Sequence, residues 1–231
     1  MIKTIFFDAA GTLFYLPRGV GWHYHTVARR FGCVLDEKVL SHEFRTAWRE
    51  MPARMASREP RPNDDKAWWL TLVGRVLDRC RVSVHELDRA AYFEELYAEF
   101  TRPGVWELYP EVRAVLAALR PHFRLGLISN FDGRLRPILC NLGLAEYFDP
   151  IVISSEAGAD KPDAWIFQRA LTLAGATATE ALHVGDDPHC DWQGAAAAGL
   201  HTFHLQRPAN SLRDLAAQLR LHHEEWPQRG T

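Results

Sequence analysis

Residues 4–15 read TIFFDAAGTLFY, and the fold turns on how that stretch is taken. An apolar run ends at Asp8, two alanines follow, and Gly11-Thr12 break the pattern. A short run that is apolar throughout and stops at a turn signal has the form of a strand buried on both faces of a parallel sheet. In open sheets of that kind ligands bind at the carboxyl ends of the strands. Asp8 stands at such an end.

Four more runs share the pattern: Arg124–Asn130, Ile151–Ser155, Ala181–Asp186 and His201–Leu205. Between the later ones lie stretches with helical spacing, at Val112–Leu119, Leu135–Leu142, Ala164–Ala174 and Trp192–Ala198. Glycines 143, 175 and 199 stand where helix C-caps belong. Alternation of strand and helix predicts an α/β fold with a Rossmann-like, doubly wound parallel sheet. Ser129-Asn130 and Asp186 then join Asp8 at strand ends. A final helix is expected from Leu212, with Ser211 and Asp214 forming a capping box.

Residues 20 to 100 follow another pattern. Trp22–Phe31, Glu37–Met51, Lys66–Asp78 and Ser83–Phe100 are all helical in spacing, interrupted by FGCVLDE and by the Pro/Arg-rich SREPRPNDD. A helical block placed directly after the first strand predicts a separate cap. The expected division is an α/β core of residues 1–16 and 103–231 and an α-helical cap domain of residues 17–102.

Bulk properties narrow the function. Of 231 residues 47% are hydrophobic, enough for a sizeable core. A net charge of −2 offers no electrostatic footprint for nucleic acid or for an anionic membrane. No apolar run reaches the roughly 20 residues of a membrane helix, and the N-terminus reads as a strand and turn, not as a signal peptide. Four widely spaced cysteines without a CxxC pair suit reduced thiols. A cytoplasmic protein, monomer or homodimer, is expected.

Four pieces carry chemistry together: Asp8-x-Ala10-Gly11-Thr12; Ser129-Asn130 in LGLISNFDGR; Lys161 in GADKPD; and HVGDDPHCDWQGA, which supplies Asp186, Asp187 and Asp191. Each piece alone recurs by chance, but four in this order, each at an expected strand end or loop, form a specific joint signal. In this the chain resembles the haloacid dehalogenase-like (HAD) hydrolase superfamily, over residues 1–15 and about 105–231, and the intervening helices resemble its helical cap.

The residue types suit phosphoryl transfer. A carboxylate can attack phosphorus and split one hard displacement into two easier ones. The transferring group carries charge that donors and cations must meet, and Ser129, Asn130 and Lys161 are suitable. The resemblance implies Mg²⁺, with Asp8, Asp186 and the backbone carbonyl of Ala10 as direct ligands. Asp187 or Asp191 would hold the metal's waters or orient Lys161. Blander readings stand beside these. Asp8 would cap a turn, Ser129 and Lys161 would be turn residues, and Asp191 serves equally as a cap for the next helix. His189 reads as a solvated loop histidine and His183 as a core histidine. The Trp68-Trp69 pair reads as cap core.

Ala10 is the departure. In phosphatases of the superfamily this position holds the aspartate that protonates the leaving oxygen and later activates water. Alanine keeps the carbonyl and loses the proton relay. Three chemistries in the superfamily tolerate a non-acid there. Dehalogenases resemble FDAxGTL but lack the acidic fourth motif. Phosphonoacetaldehyde hydrolases carry alanine and need a cap lysine, for which Lys38 and Lys66 are the candidates. A third branch has DxxGT without the second aspartate, a WW pair in the cap and an intact acidic motif, as FFDAAGTL, KAWWLTLV and VGDDPHCDWQGA do here. The expectation is a Mg²⁺-dependent hydrolase acting on a small phosphorylated metabolite through Asp8. The alternatives are a non-catalytic relative that binds a phosphorylated ligand or partner, and phosphonatase-like or 2-haloacid dehalogenase-like hydrolysis.

Overall fold

The structure is a computed structural model, and it describes residues 1–54, 56–83 and 85–219. Strand β1 (Thr4–Phe7) is wholly buried. The chain then makes β2 (Phe14–Tyr15) and helices α1 (Gly19–Arg30), α2 (Glu37–Glu50), α3 (Lys66–Arg79) and α4 (Arg89–Glu99). From there β3 (Glu107–Leu108), α5 (Val112–Leu119), β4 (Arg124–Ser129), α6 (Leu135–Asn141), β5 (Ile151–Ile153) and the short α7 (Ser154–Ala157) follow. The chain ends its described part with α8 (Ala164–Ala174), β6 (Ala181–Gly185), α9 (Gly194–Ala197), β7 (His201–His204) and α10 (Leu212–Gln218).

Five strands form one parallel sheet in the order β5-β4-β1-β6-β7, with helices on both sides. The register sets Phe7 beside Leu127 on one side and Val184 on the other. β1 therefore lies at the centre, and Asp8 continues it, its amide donating to the Val184 carbonyl at 2.8 Å. Phe6, Ile128 and Val152 pack one face against Ile166, Phe167 and Ala170 of α8. Phe7 alternates to the other face and meets the Phe148 ring at 6.1 Å. Burying a side chain of this size contributes roughly 1.5–3 kcal/mol, so the centre of the sheet is a firm base for the loops above it.

The chain divides into two compact units, one of Met1–Tyr15, Met55–Arg61 and Leu108–Thr231 and one of Leu16–Arg54 and Pro62–Glu107. The helical unit closes on Tyr24, Leu72, Val76, Leu77, Tyr92 and Leu96, all buried. Trp68 and Trp69 border that core, 5.3 Å apart and 5.2 and 5.6 Å from Trp48. Residues 56–61, inside the stretch expected to be cap, pack with the sheet unit instead.

Helix α1 starts at Gly19, earlier than expected, and β5 stops at Ile153, just before α7 begins; two further ends differ from the sequence pattern for local reasons. Helix α4 begins at Arg89 rather than Ser83, because Asp88 accepts from the amides of Ala90 and Ala91 at 3.1 Å and caps there. The helix expected over Trp192–Ala198 is preceded by a π-helical turn, Pro188–Gln193, which Asp187 caps. No helix among the described residues is long and apolar enough to cross a membrane.

Candidate functional site

Three strand ends and one loop of the sheet unit converge. Asp8 follows β1, Ser129 ends β4, Asp186 follows β6, and Lys161 lies in the loop before α8. Lys161 is 3% exposed, and its Nζ donates to Asp8 Oδ1 at 2.6 Å, to Asp191 Oδ1 at 2.7 Å and to the Ile128 carbonyl at 2.9 Å. All three ammonium protons are thus placed. Ser129 Oγ donates to the same Asp8 oxygen at 3.3 Å. Asn130 works through its amide: Oδ1 accepts from the Lys161 amide at 2.6 Å, and Nδ2 donates to the Lys161 carbonyl at 2.8 Å. Asn130 therefore holds the lysine's backbone, while Ser129 touches Asp8 itself.

The two acids left open by the sequence part company. Asp191 is buried, and its Oδ1 meets both Lys161 and His183 Nε2, the latter at 2.9 Å; its Oδ2 accepts from the Asp187 amide at 3.0 Å. Asp187 is exposed, and its Oδ1 accepts from the amides of His189 and Cys190 at 2.8 and 2.7 Å. Asp187 spends its carboxylate capping the turn, and Asp191 spends its own orienting Lys161. Gly185 makes this possible, since a Cβ there would come within 2.2 Å of Asp191 Cγ.

Thr12 and His183 stand within the motifs, but motif reading assigned neither a part at the site. Thr12 Oγ1 donates to Asp186 Oδ1 at 3.0 Å. His183 is a buried strand residue, as its apolar setting suggests, yet one ring nitrogen is a partner of Asp191. Its position three residues before Asp186 was the only hint. His189 is exposed, with Nδ1 3.3 Å from Gln193 Oε1.

Asp8, Asp186 and Asp191 bring carboxylate oxygens within 4.8 Å of one another. Fully ionised, three carboxylates against the one Lys161 ammonium leave two negative charges in a small volume. Burial acts most strongly on Asp8 and pushes its carboxyl up to about 7, against the pull of Lys161, with Asp191 and Asp186 adding to the rise. Burial raises Asp186 as well, against the Thr12 hydrogen bond. Burial would lower the Lys161 amine, but Asp8 and Asp191 outweigh it and hold the ammonium charged. For Asp191 the Lys161 charge and His183 overcome desolvation, and its carboxyl lies well below the usual range. Such excess negative charge is what a cation relieves. Nearby, burial and Asp187 push the Cys190 thiol, 3.8 Å from Asn130 Nδ2, up to about 12.

A cavity of about 420 Å³ opens beside Asp186, lined among others by Gly11, Tyr109, Trp192, Gln206 and Arg207. Gly11 is required here. Its φ is +96°, and a Cβ would stand 2.5 Å from Asp186 Oδ2. Gly11→Ala is expected to cost more than ~1 kcal/mol of stability. Thermal unfolding would check this, and an unchanged Tm would show that the loop absorbs the added Cβ without strain.

Comparison with known proteins gives the family of the chain. A family model described as haloacid dehalogenase-like hydrolase matches residues 2–199. The human haloacid dehalogenase-like hydrolase domain-containing protein 3 is 36% identical over 215 residues, covering 90% of this chain and 83% of that one. A phosphoserine phosphatase of Thermus thermophilus is 40% identical over 122 residues, about half of either chain (52% and 48%). Among solved structures, a defluorinating L-2-haloacid dehalogenase superposes with a TM-score of 0.79, covering 95% of both chains at 20% identity, a likeness of fold. The chain belongs to the haloacid dehalogenase-like hydrolases.

Proposed function

We propose that this hydrolase is a Mg²⁺-dependent phosphatase of small phosphorylated metabolites that works through an aspartyl-phosphate at Asp8. The observation that carries the reading is the Lys161 ammonium bridging Asp8 and Asp191 beside Asp186. Lys161 and Ser129 both donate to Oδ1 of Asp8, which leaves Oδ2 as the attacking atom. A bond forms from Oδ2 to phosphorus as the bond from phosphorus to the leaving oxygen breaks, and the electron pair departs on that oxygen. Water then attacks the aspartyl-phosphate, releasing phosphate and restoring the carboxylate. Lys161 and Ser129 lower the repulsion between Asp8 and the incoming anion.

The donor set fits Mg²⁺: hard carboxylate oxygens in excess of local positive charge, with a backbone carbonyl at residue 10. Asp8, Asp186 and that carbonyl would hold the ion, and Asp191, saturated by Lys161, His183 and the Asp187 amide, would not. When bound, the ion would neutralise charge on the phosphoryl oxygens. A dehalogenase reading leaves Asp186 without a partner in the reaction, so the phosphatase reading is preferred.

Ala10 offers no proton to the leaving oxygen. The substrates are therefore those whose leaving groups depart as stable anions, acyl and aryl phosphates before alkyl esters. Asp8→Asn tests the proposal. Acetyl phosphate hydrolysis should fall to background with the fold retained, and the native protein, quenched during turnover, should carry a phosphoryl adduct on the peptide holding Asp8. Undiminished hydrolysis by the variant would sink the reading.

A further inference from the structure

Residues 57–61 are an excursion from the helical insert that docks in the sheet unit. The Ser57 and Arg58 amides donate to the Gly158 carbonyl at 2.8 and 3.2 Å, and the Arg61 amide donates to the Ser155 carbonyl at 2.7 Å. The approach is so close that a Cβ on Gly158, whose φ is +70°, would stand 2.1 Å from the Glu59 carbonyl oxygen. The Arg58 guanidinium lies 5.3 Å over the Trp165 ring. The segment holds strained backbone as well, with φ of +58° at Arg58. Such conformations persist only where surroundings over-determine them.

Arg61 is where this excursion reaches toward the chemistry. Its guanidinium is buried, and Nη2 donates to Asp160 Oδ1 at 2.8 Å and to Ser154 Oγ at 3.1 Å. Asp160 is the residue before Lys161. Ser154 Oγ in turn donates to the Phe131 carbonyl at 3.1 Å, and Phe131 is the residue after Asn130. One guanidinium thus ties the loop bearing Lys161 to the loop bearing Ser129 and Asn130. Asn130 grips Lys161 as well, through its backbone amide and carbonyl.

We propose that Arg61 is a positioning residue, through which the docked segment 57–61 holds the Lys161 loop against the Ser129-Asn130 loop and so fixes the lysine on Asp8. The proposal rests on the phosphatase reading for what Lys161 does, but not for how it is held. Charge-assisted contacts of this kind are the strong ones among hydrogen bonds, and the anchor lies one residue from the group it places. An insert segment thereby becomes part of the phosphate-facing apparatus without touching the reacting atoms.

Arg61→Ala tests it, with Asp160→Asn as a milder break and Arg61→Lys as the conservative variant. Amide exchange is read at residues 158–161 in the full chain, and acetyl phosphate hydrolysis is measured alongside. Exchange should quicken about tenfold or more in Arg61→Ala and Asp160→Asn, the size expected from losing one charged anchor. The kcat should fall about tenfold with KM nearly constant, and lysine should restore part of it. If Arg61→Ala does not fold, Asp160→Asn decides. Native exchange rates at 158–161 in the folded variants would overturn the proposal. Faster exchange with unaltered kcat would overturn the positioning role and leave a purely structural clasp. If the native protein hydrolyses no phosphate, the phosphatase reading fails while the exchange data still judge the anchor.

Discussion

Replacing Lys161 with methionine is expected to cut the proposed phosphatase turnover sharply and to destabilise the sheet unit at the same time. The ammonium satisfies two buried carboxylates and one carbonyl, and methionine of similar length satisfies none. Removing one partner of a buried pair costs about 3–5 kcal/mol because the other charge is left desolvated. For a chain of this size that is a fall in Tm of roughly 6–20 °C. Loss of a preorganised donor at the developing charge costs a further ~10²–10³ in kcat.

The pH dependence gives the variant a signature. In the native protein the Asp191 carboxyl lies well below the ordinary range, so its contribution to stability is present above the unfolded carboxyl's pKa of about 3.9 and is lost as pH falls toward the folded value. Without Lys161, burial dominates: the folded-state pKa of Asp191 rises above the unfolded value, and that of Asp8, already raised in the native protein, rises further. The folded variant then binds protons that the unfolded chain releases, and it loses stability as pH rises. The gap in Tm between native and variant protein should therefore narrow from pH 7 to pH 4. A constant gap would mean that Lys161 contributes packing and not charge.

Ala10→Asp is expected to raise hydrolysis of alkyl phosphates by about 10²–10⁴, the usual worth of a positioned acid-base group. Acetyl phosphate should gain far less, because its leaving group needs no proton. Ala10 is half-buried two residues beyond Asp8, so the new carboxyl is tethered to the right loop. The measurement is kcat/KM over matched alkyl, aryl and acyl phosphates. If the alkyl substrates do not improve, either the missing acid is not what limits the native site or another group such as His189 supplies the proton.

The sheet was legible because period and punctuation agree: apolar runs too short for helices, three of them leading to Asp8, Ser129 and Asp186. Lys161 and its partners were legible as residue types in a known order. What the sequence concealed was division of labour among similar groups. Asp187 and Asp191 are chemically identical, and only the backbone turn from Pro188 to Gln193 decides which of them faces Lys161. Thr12 and His183 act through single hydrogen bonds that leave no periodic trace. The docking of residues 57–61 was concealed for a different reason. A Pro/Arg-rich interruption between helices has the composition of an idle loop, and its role depends on Gly158 and Ser154 about a hundred positions away.

Cys190 borders Asn130, its sulfur 3.8 Å from the Asn130 amide nitrogen. Burial and the neighbouring Asp187 charge keep it as the thiol at physiological pH, and thiols react with oxidants and alkylating agents chiefly as thiolates. The sulfur is chemically silent although it is close to the reacting centre. An alkylating reagent meets Cys140, the exposed cysteine, before it meets this one.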